Sequence, residues 1–226
     1  MTKIIGHRGA RGLAPENTLA SFTEALAAGV DEIELDVRVT KDGICVLNHD
    51  KFLHDISGRS LRHMRIADCT LDELQSFRQD IALLEDAIEL IDRSVPIIVE
   101  VKPRVPTAEV IAVIDRFLAK GWQPSDFLLA SFSQRTLRQL HAALPGIEKV
   151  VNEHFGGFHA TWRARRVQAK RLAFNQHNLW WGFIASMAKH GYKIIAYTVN
   201  DPAKVAKWEK RGLFAIVTDY PDRFKK

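Results

Sequence analysis

The sequence predicts an α/β fold: a TIM-type (β/α)8 barrel with a small insertion after the second barrel strand. Three observations carry this. Short apolar runs alternate with helix-like segments along the whole chain, as in a parallel sheet built from β–α units. A length of 226 residues suits one barrel domain spanning 1–226, since such barrels reach this size without splitting. No internal repeat, low-complexity tract or linker divides the chain.

The first strand is expected at 3–6 (KIIG). A helix over 18–28 follows, with Asn17 as its N-cap and Gly29 as its stop. Strand 31–37 (DEIELDV) and the run 44–48 (ICVLN) come next. Only a short turn containing KDG separates those two, too little for a crossover helix, so 44–48 reads as an extra arm. Residues 51–80 form the insertion. Within it, Thr70 and Glu73 make a capping-box pattern ahead of an apolar stripe at Leu74 and Phe77. Further strands are expected at 96–101, 126–131, 147–151, 171–175, 193–198 and 214–218. In NDPAKVAKWEKRG, Asp201 caps a helix, Pro202 takes its first position and Gly212 ends it. With the arm set aside, eight strands remain, the number that closes a barrel.

Composition narrows the functional classes. The apolar and charged fractions, 46% and 26%, are those of an ordinary globular protein. No stretch approaches the ~18 apolar residues of a membrane span, and MTKIIGHRG lacks the apolar core and cleavage site of a signal peptide. A cytoplasmic protein without stable membrane insertion is expected. Cys45 and Cys69 then stay reduced; they lack metal-type spacing, and Cys45 reads as core. The net charge of +5 fits a small anionic substrate as well as a polyanion. The densest basic run, 162–171 (WRARRVQAKR), reads as a solvated helix face, with nucleic acid or an anionic membrane as the alternative. No nucleic-acid motif or stacking platform accompanies it, so nucleic acid is not expected as a partner. Oligomeric state is not legible.

Three constellations carry chemistry. In ELDV, strand alternation turns Glu34 and Asp36 to one face, and Ile33, Leu35 and Val37 to the other. Two buried carboxylates repel unless a cation lies between them. Oxygen-only ligands suit a hard divalent ion, Mg2+ or Ca2+; a solvated strand end or ion pairs to arginine would also account for them. In IIVEVKPR, Glu100 and Lys102 share a face at a strand's C-terminal end. Glu100 is a third candidate carboxylate. Lys102 suits an anionic substrate oxygen, or a simple ion pair with Glu100. His7 and His49 each follow a strand, where barrel enzymes place catalytic groups, and imidazole transfers protons near neutral pH. His7 and Arg8 sit between Gly6 and Gly9, a turn suited to an anion. The other seven histidines, His54, His63, His141, His154, His159, His177 and His190, read as structural.

Together, HRGARGLAPENTLASF, EIELDVRVTKDGICVLNHD, VEVK, SF at 131–132, YTVN at 197–200 and VTDYPDRF at 217–224 resemble the glycerophosphodiester phosphodiesterases. The likeness spans nearly the whole chain and is most specific in the first fifty residues. It implies a TIM-type barrel that hydrolyses glycerophosphodiesters to sn-glycerol 3-phosphate and an alcohol with a divalent metal ion. Carried over by position, Glu34, Asp36 and Glu100 would hold the metal. His7 and His49 would form the acid–base pair, and Arg8 and Lys102 would contact the phosphate. Asn17 is read mainly as a helix cap, and the role of Glu16 is open. The chain departs from the family pattern at IALLEDAIEL, which replaces a Pro-Thr-Leu-Glu-Glu-like helix start, and at Tyr197, where tryptophan is usual.

Two other readings are kept. A lysophospholipid substrate would need an apolar channel, for which Phe52, Leu53, Ile56, Leu61, Met64, Ile66 and Phe77 of the insertion are candidates; packing of the insertion onto the barrel also explains them. A non-catalytic barrel binding anions or nucleic acid is the reading from outside enzymology. The full set of carboxylates, histidines and cations argues against it.

Overall fold

The structure, a computed structural model, describes residues 1–54 and 60–224. Strand β1 spans Lys3–Gly6, helix α1 Leu19–Ala27, and β2 Glu32–Val39. Strands β3 (Cys45–Leu47), β4 (Phe52–His54) and β5 (Ser60–Arg65) precede helices α2 (Leu71–Phe77) and α3 (Leu84–Ile91). Five β–α units then follow: β6 (Ile97–Val101) and α4 (Thr107–Ala119), β7 (Phe127–Ser131) and α5 (Gln134–Ala143), β8 (Glu148–Glu153) and α6 (Gly157–Arg165), β9 (Arg171–Asn175) and α7 (Trp181–Lys189), β10 (Lys193–Tyr197) and α8 (Pro202–Glu209). Strand β11 (Ala215–Thr218) comes last.

Eight of these strands, β1, β2 and β6 to β11, pair in parallel, and β1 bonds both β11 and β2, which closes the barrel. The run read as an arm is β3, antiparallel to β2 with Val37 opposite Leu47. It lies outside the barrel ring, as the short turn before it requires. The insertion is an antiparallel β4–β5 hairpin followed by α2. The expected capping box forms there: Thr70 Oγ1 accepts from Glu73 N, and Thr70 N donates to Glu73.

Side chains on alternate strand positions build two apolar layers. Ile5, Ile98, Leu128, Val150, Ile195 and Val217 fill the barrel interior with their neighbours. Ile33, Leu35, Val37, Val99 and Leu129 face outward onto helix residues such as Phe22, Ile88, Val110 and Leu137. Full burial of each large side chain stabilises the fold by roughly 1.5–3 kcal/mol.

Helix α1 corrects one expectation. Its N-cap is Thr18, whose Oγ1 accepts from Ser21 N at 3.2 Å while Ser21 Oγ accepts from Thr18 N. Asn17 sits one residue earlier with φ of 56°. Its side chain is spent on strand β2: Asn17 Nδ2 donates to Asp36 Oδ2 and Asp36 N donates to Asn17 Oδ1, both at 3.0 Å. The two-way bond to β2 holds Asn17 where it cannot cap.

The basic run 162–171 is also only partly solvated. Arg163 is buried, donating to Asn152 O, Ser131 O and Glu153 Oε2. Arg171 lies on β9 and pairs with Glu32.

Candidate active site

A cavity of about 1080 Å³ opens at the C-terminal end of the barrel strands. His7, Arg8, Glu34, Asp36, His49, Glu100 and Lys102 all line it. Strand register explains the carboxylates. Asp36 on β2 lies opposite Glu100 on β6, and Glu34 is two residues below Asp36 on the same face. One oxygen from each of Glu34, Asp36 and Glu100 falls within 4.8 Å of the others. All three residues are buried.

Two cations face these three carboxylates. Lys102 Nζ lies 2.5 Å from both Asp36 Oδ1 and Glu100 Oε1. Arg8 Nε lies 3.0 Å from Asp36 Oδ2, at an angle that leaves this buried N–H without a hydrogen bond. Asn152 Nδ2 donates to Glu100 Oε2 at 2.8 Å. Burial raises Asp36, but the charges of Lys102 and Arg8 outweigh it and hold the group below the usual carboxylate range. Burial, then Asp36 and Glu100, push Glu34 well above that range. Burial also raises Glu100, against the pull of Lys102. Three carboxylates thus face two cations, and the raised Glu34 pKa eases the excess. An all-oxygen, buried, net-anionic donor set of this size fits a hard divalent cation.

The first turn aims the remaining groups. Gly9 has φ of 82°, and a Cβ there would lie 2.4 Å from Ser21 Oγ. A Cβ on Gly6 would lie 2.6 Å from Gly9 O. The turn thus folds tightly against α1 only with glycine at both places. It presents Arg8 N to Glu34 Oε2 at 2.9 Å. Glu16 accepts from Arg8 Nη1 through both oxygens, at 2.7 and 2.8 Å. The open question about Glu16 thus has a geometric answer: it orients the guanidinium.

The two imidazoles differ in setting. His7 Nδ1 is 2.6 Å from Asp219 Oδ1, and its side chain is 14% exposed. Asp219 is held in turn by Asn200: Nδ2 donates to Asp219 Oδ2, and Asp219 N donates to Asn200 Oδ1, both at 2.9 Å. Burial raises Asp219, but bonds from His7 and Asn200 bring it below its ordinary value. An ionised Asp219 assigns the Nδ1 proton to His7 and leaves Nε2 as the free acceptor. Burial keeps the His7 pKa below 6.5 despite the bond to Asp219. His49 Nδ1 is 2.7 Å from Asp50 Oδ1, but its side chain is 39% exposed. Burial and the Lys102 charge lower its pKa as well. Arg38 anchors the His49 backbone, donating from Nε and Nη2 to the carbonyl.

Sequence reasoning missed several lining groups or their supports. Asp219 and Asn200 stood in the matched motifs without a role, and their placement at the ends of the last two strands was the available signal. His154, read as structural, lines the cavity and stacks on Phe132 at 4.2 Å between ring centres. Tyr197 lines the same wall and donates to Glu153 O at 3.1 Å. The insertion contributes Phe52, Arg65 and Ala67 to the cavity. Leu53, Met64 and Ile66 are buried in a separate cluster with Val46, Leu74 and Ile81, against which Leu61 packs. Phe77 is exposed, and Ile56 lies outside the described residues. The insertion's apolar side chains thus mainly pack it onto the barrel.

Known proteins are similar to this chain over nearly its whole length. Residues 7–223 match the family model of the glycerophosphoryl diester phosphodiesterase family. A glycerophosphodiester phosphodiesterase of Bacillus altitudinis is 31% identical, over 99% of this chain and 96% of its own. A phosphodiesterase of Oleispira antarctica, solved with the product sn-glycerol-3-phosphate, is 30% identical with a TM-score of 0.79, covering 99% of this chain and 95% of that one. The glycerophosphodiester phosphodiesterase of Agrobacterium tumefaciens strain C58 is 25% identical with a TM-score of 0.79, covering 100% of this chain and 99% of its own. On the match across nearly its whole length, the chain belongs to the glycerophosphoryl diester phosphodiesterase family.

Proposed function

We propose that this chain hydrolyses glycerophosphodiesters to sn-glycerol 3-phosphate and an alcohol, using a divalent ion and a His7/His49 proton-transfer pair. The observation that carries the reading is convergence: seven groups from positions 7 to 102 line one cavity. Glu34, Asp36 and Glu100 would hold Mg2+ or Ca2+. Bound there, the ion would offset charge at a phosphoryl oxygen, a contribution of several kcal/mol. Arg8 offers a planar donor fork to the phosphate, held in aim by Glu16. Lys102 adds a point charge beside it.

His7, with Nδ1 tied to Asp219, accepts the proton of the attacking hydroxyl at Nε2. The attacking oxygen bonds to phosphorus as the bond from phosphorus to the alcohol oxygen breaks, His49 gives the departing oxygen a proton, and His7 returns its own to solvent. Water supplies the hydroxyl and proton gained overall. Exposure at the rim lets His49 regain its proton from solvent. Each such transfer is worth ~10²–10⁴ in rate.

Assays for the released choline or ethanolamine, with glycerol 3-phosphate followed for the two water-soluble diesters, test the reading. Glycerophosphocholine, glycerophosphoethanolamine and lysophosphatidylcholine are offered with and without divalent ions. Ion-dependent release from the two water-soluble diesters is expected, with little from the lysolipid. Preference for the lysolipid would favour the channel reading, and no release from any diester would reject the proposal.

A further inference from the structure

The mouth end of the barrel carries aromatic side chains that are largely exposed. Phe155, in the loop after β8, is 85% exposed, and Phe158, in the first turn of α6, is 88% exposed. Trp180, at the N-cap of α7, is 62% exposed. Trp162, one turn along α6, is 43% exposed. Only Phe77 among the other described phenylalanines and tryptophans is exposed in this way. Rings held in water are costly unless something covers them, and a contiguous set of them marks a contact surface.

Phe155 and Trp162 are linked through His159. Phe155 meets His159 edge-on at 5.6 Å, His159 stacks on Trp162 at 6.0 Å, and the Arg166 guanidinium lies 3.6 Å from the centre of the Trp162 ring. Asn178 Nδ2 donates to His154 O, tying the loop that leads to Trp180 to the loop that carries Phe155. His154 itself lines the cavity. The patch therefore begins where the cavity wall ends.

Its charge is one-sided. The chain has 27 acidic residues, yet residues 154–200 contain none, against seven Lys and Arg, two of which, Arg163 and Arg171, are buried in ion pairs. Arg165 and Arg166 are exposed at the end of the same helix, Arg166 against the Trp162 ring. Across the mouth, Lys51 and Arg104 are exposed on the cavity rim.

We infer that this rim docks on the surface of an anionic phospholipid bilayer, with Phe155, Phe158 and Trp180 entering the headgroup layer. Aromatic rings favour that layer because one side of it is apolar and the other wet, and arginines beside them meet lipid phosphates. The charge pattern decides between occupants. A second copy of the chain would bring two such basic patches, each from a segment without acidic residues, together and repel. Single-stranded nucleic acid needs a run of bare ring faces, whereas the Trp162 ring is already engaged by His159 and Arg166. The docking is peripheral and reversible. It uses only the surface and does not rest on the proposed chemistry.

The test is sedimentation of the full chain with vesicles of phosphatidylcholine alone, or of phosphatidylcholine mixed with phosphatidylglycerol. At least about tenfold stronger binding to the mixed vesicles is expected, weakening as salt rises. Phe155→Ser with Phe158→Ser should cut that binding at least about tenfold, with unchanged melting temperature and unchanged hydrolysis of glycerophosphocholine. Arg165→Gln with Arg166→Gln should reduce the preference for anionic lipid. In the unsubstituted chain, brominated lipid should quench tryptophan emission, a readout that does not need a variant to fold. Absence of vesicle binding at low salt would overturn the inference, as would full binding by the serine pair. So would retention on a single-stranded oligonucleotide, or a dimer abolished by the serine pair, in either case without vesicle binding.

Discussion

Strand β2 carries acidic side chains into two regions of the same barrel, its floor and its mouth, and they end differently. On the floor, Glu32 is fully buried and saturated. Arg171 Nη1 donates to both its oxygens at 2.8 and 2.7 Å, and Lys3 Nζ adds a third contact at 2.8 Å. Two and four residues on, Glu34 and Asp36 share the mouth with Glu100 and have only Lys102 and Arg8 as cations. The floor is a closed ion network that holds strands together. The mouth is over-supplied with carboxylates, so burial and mutual repulsion push Glu34 up. Residue type and strand face are the same in both; the supply of cations separates a structural site from one built to receive a charge.

The first way to break this contrast is Glu34→Gln. Loss of a carboxylate at the proposed ion site should lower turnover by about a thousandfold, the rate equivalent of several kcal/mol. Stability should move the other way. A carboxyl whose folded pKa is raised loses stability as pH rises through that value. The metal-free variant, keeping an acceptor for Arg8 N–H, should melt no lower than the parent at pH 7–8. A lower melting temperature in metal-free buffer would place Glu34 with Glu32 as a structural group.

His7→Ala should reduce turnover by ~10²–10⁴, with little change in melting temperature. Near-normal activity would remove His7 from proton transfer. Asp219→Asn tests the positioning behind it. The Asp219 bond and charge raise the His7 pKa, against the dominant burial effect. The parent's acid limb of kcat/KM should lie below 6.5, and Asp219→Asn should shift it to lower pH while cutting the plateau. A limb that stays put would separate Asp219 from the titrating base.

Glu32→Gln is the reciprocal experiment on the floor. It leaves the buried Arg171 with Glu148 as its remaining carboxylate partner, a loss of up to about 3–5 kcal/mol by the usual cost of breaking a buried pair. The folded fraction should keep its kcat/KM. Loss of activity without loss of stability would erase the distinction between floor and mouth. The smallest effect is expected from Arg8→Lys, which keeps the charge and loses the fork; a roughly tenfold drop is anticipated. Unchanged kinetics would place Arg8 merely beside the site.

The contrast also explains what the sequence disclosed. Glu34, Asp36, Glu100 and Lys102 were legible because strand alternation needs only local spacing, and the cavity lining follows it. His7 and His49 were legible as strand ends. Asp219 was not, because its meeting with His7 depends on closure of β11 onto β1, 212 positions apart in sequence. Asn152 was missed because the strand was expected to stop at 151. Strand β8 instead runs to Glu153 and carries Asn152 inward at its mouth end. Asn17 matched a cap pattern that Thr18 satisfies equally well; only the approach of β2 decides between them. The shared floor of Arg171, Glu32 and Lys3 joins three strands, and no local pattern announces it.

The most direct test of the three-carboxylate site is release of glycerol 3-phosphate from glycerophosphocholine by chelator-treated protein, followed by return of Mg2+ or Ca2+. Activity should vanish with the chelator and return with the ion. Full activity in the chelator would contradict the account.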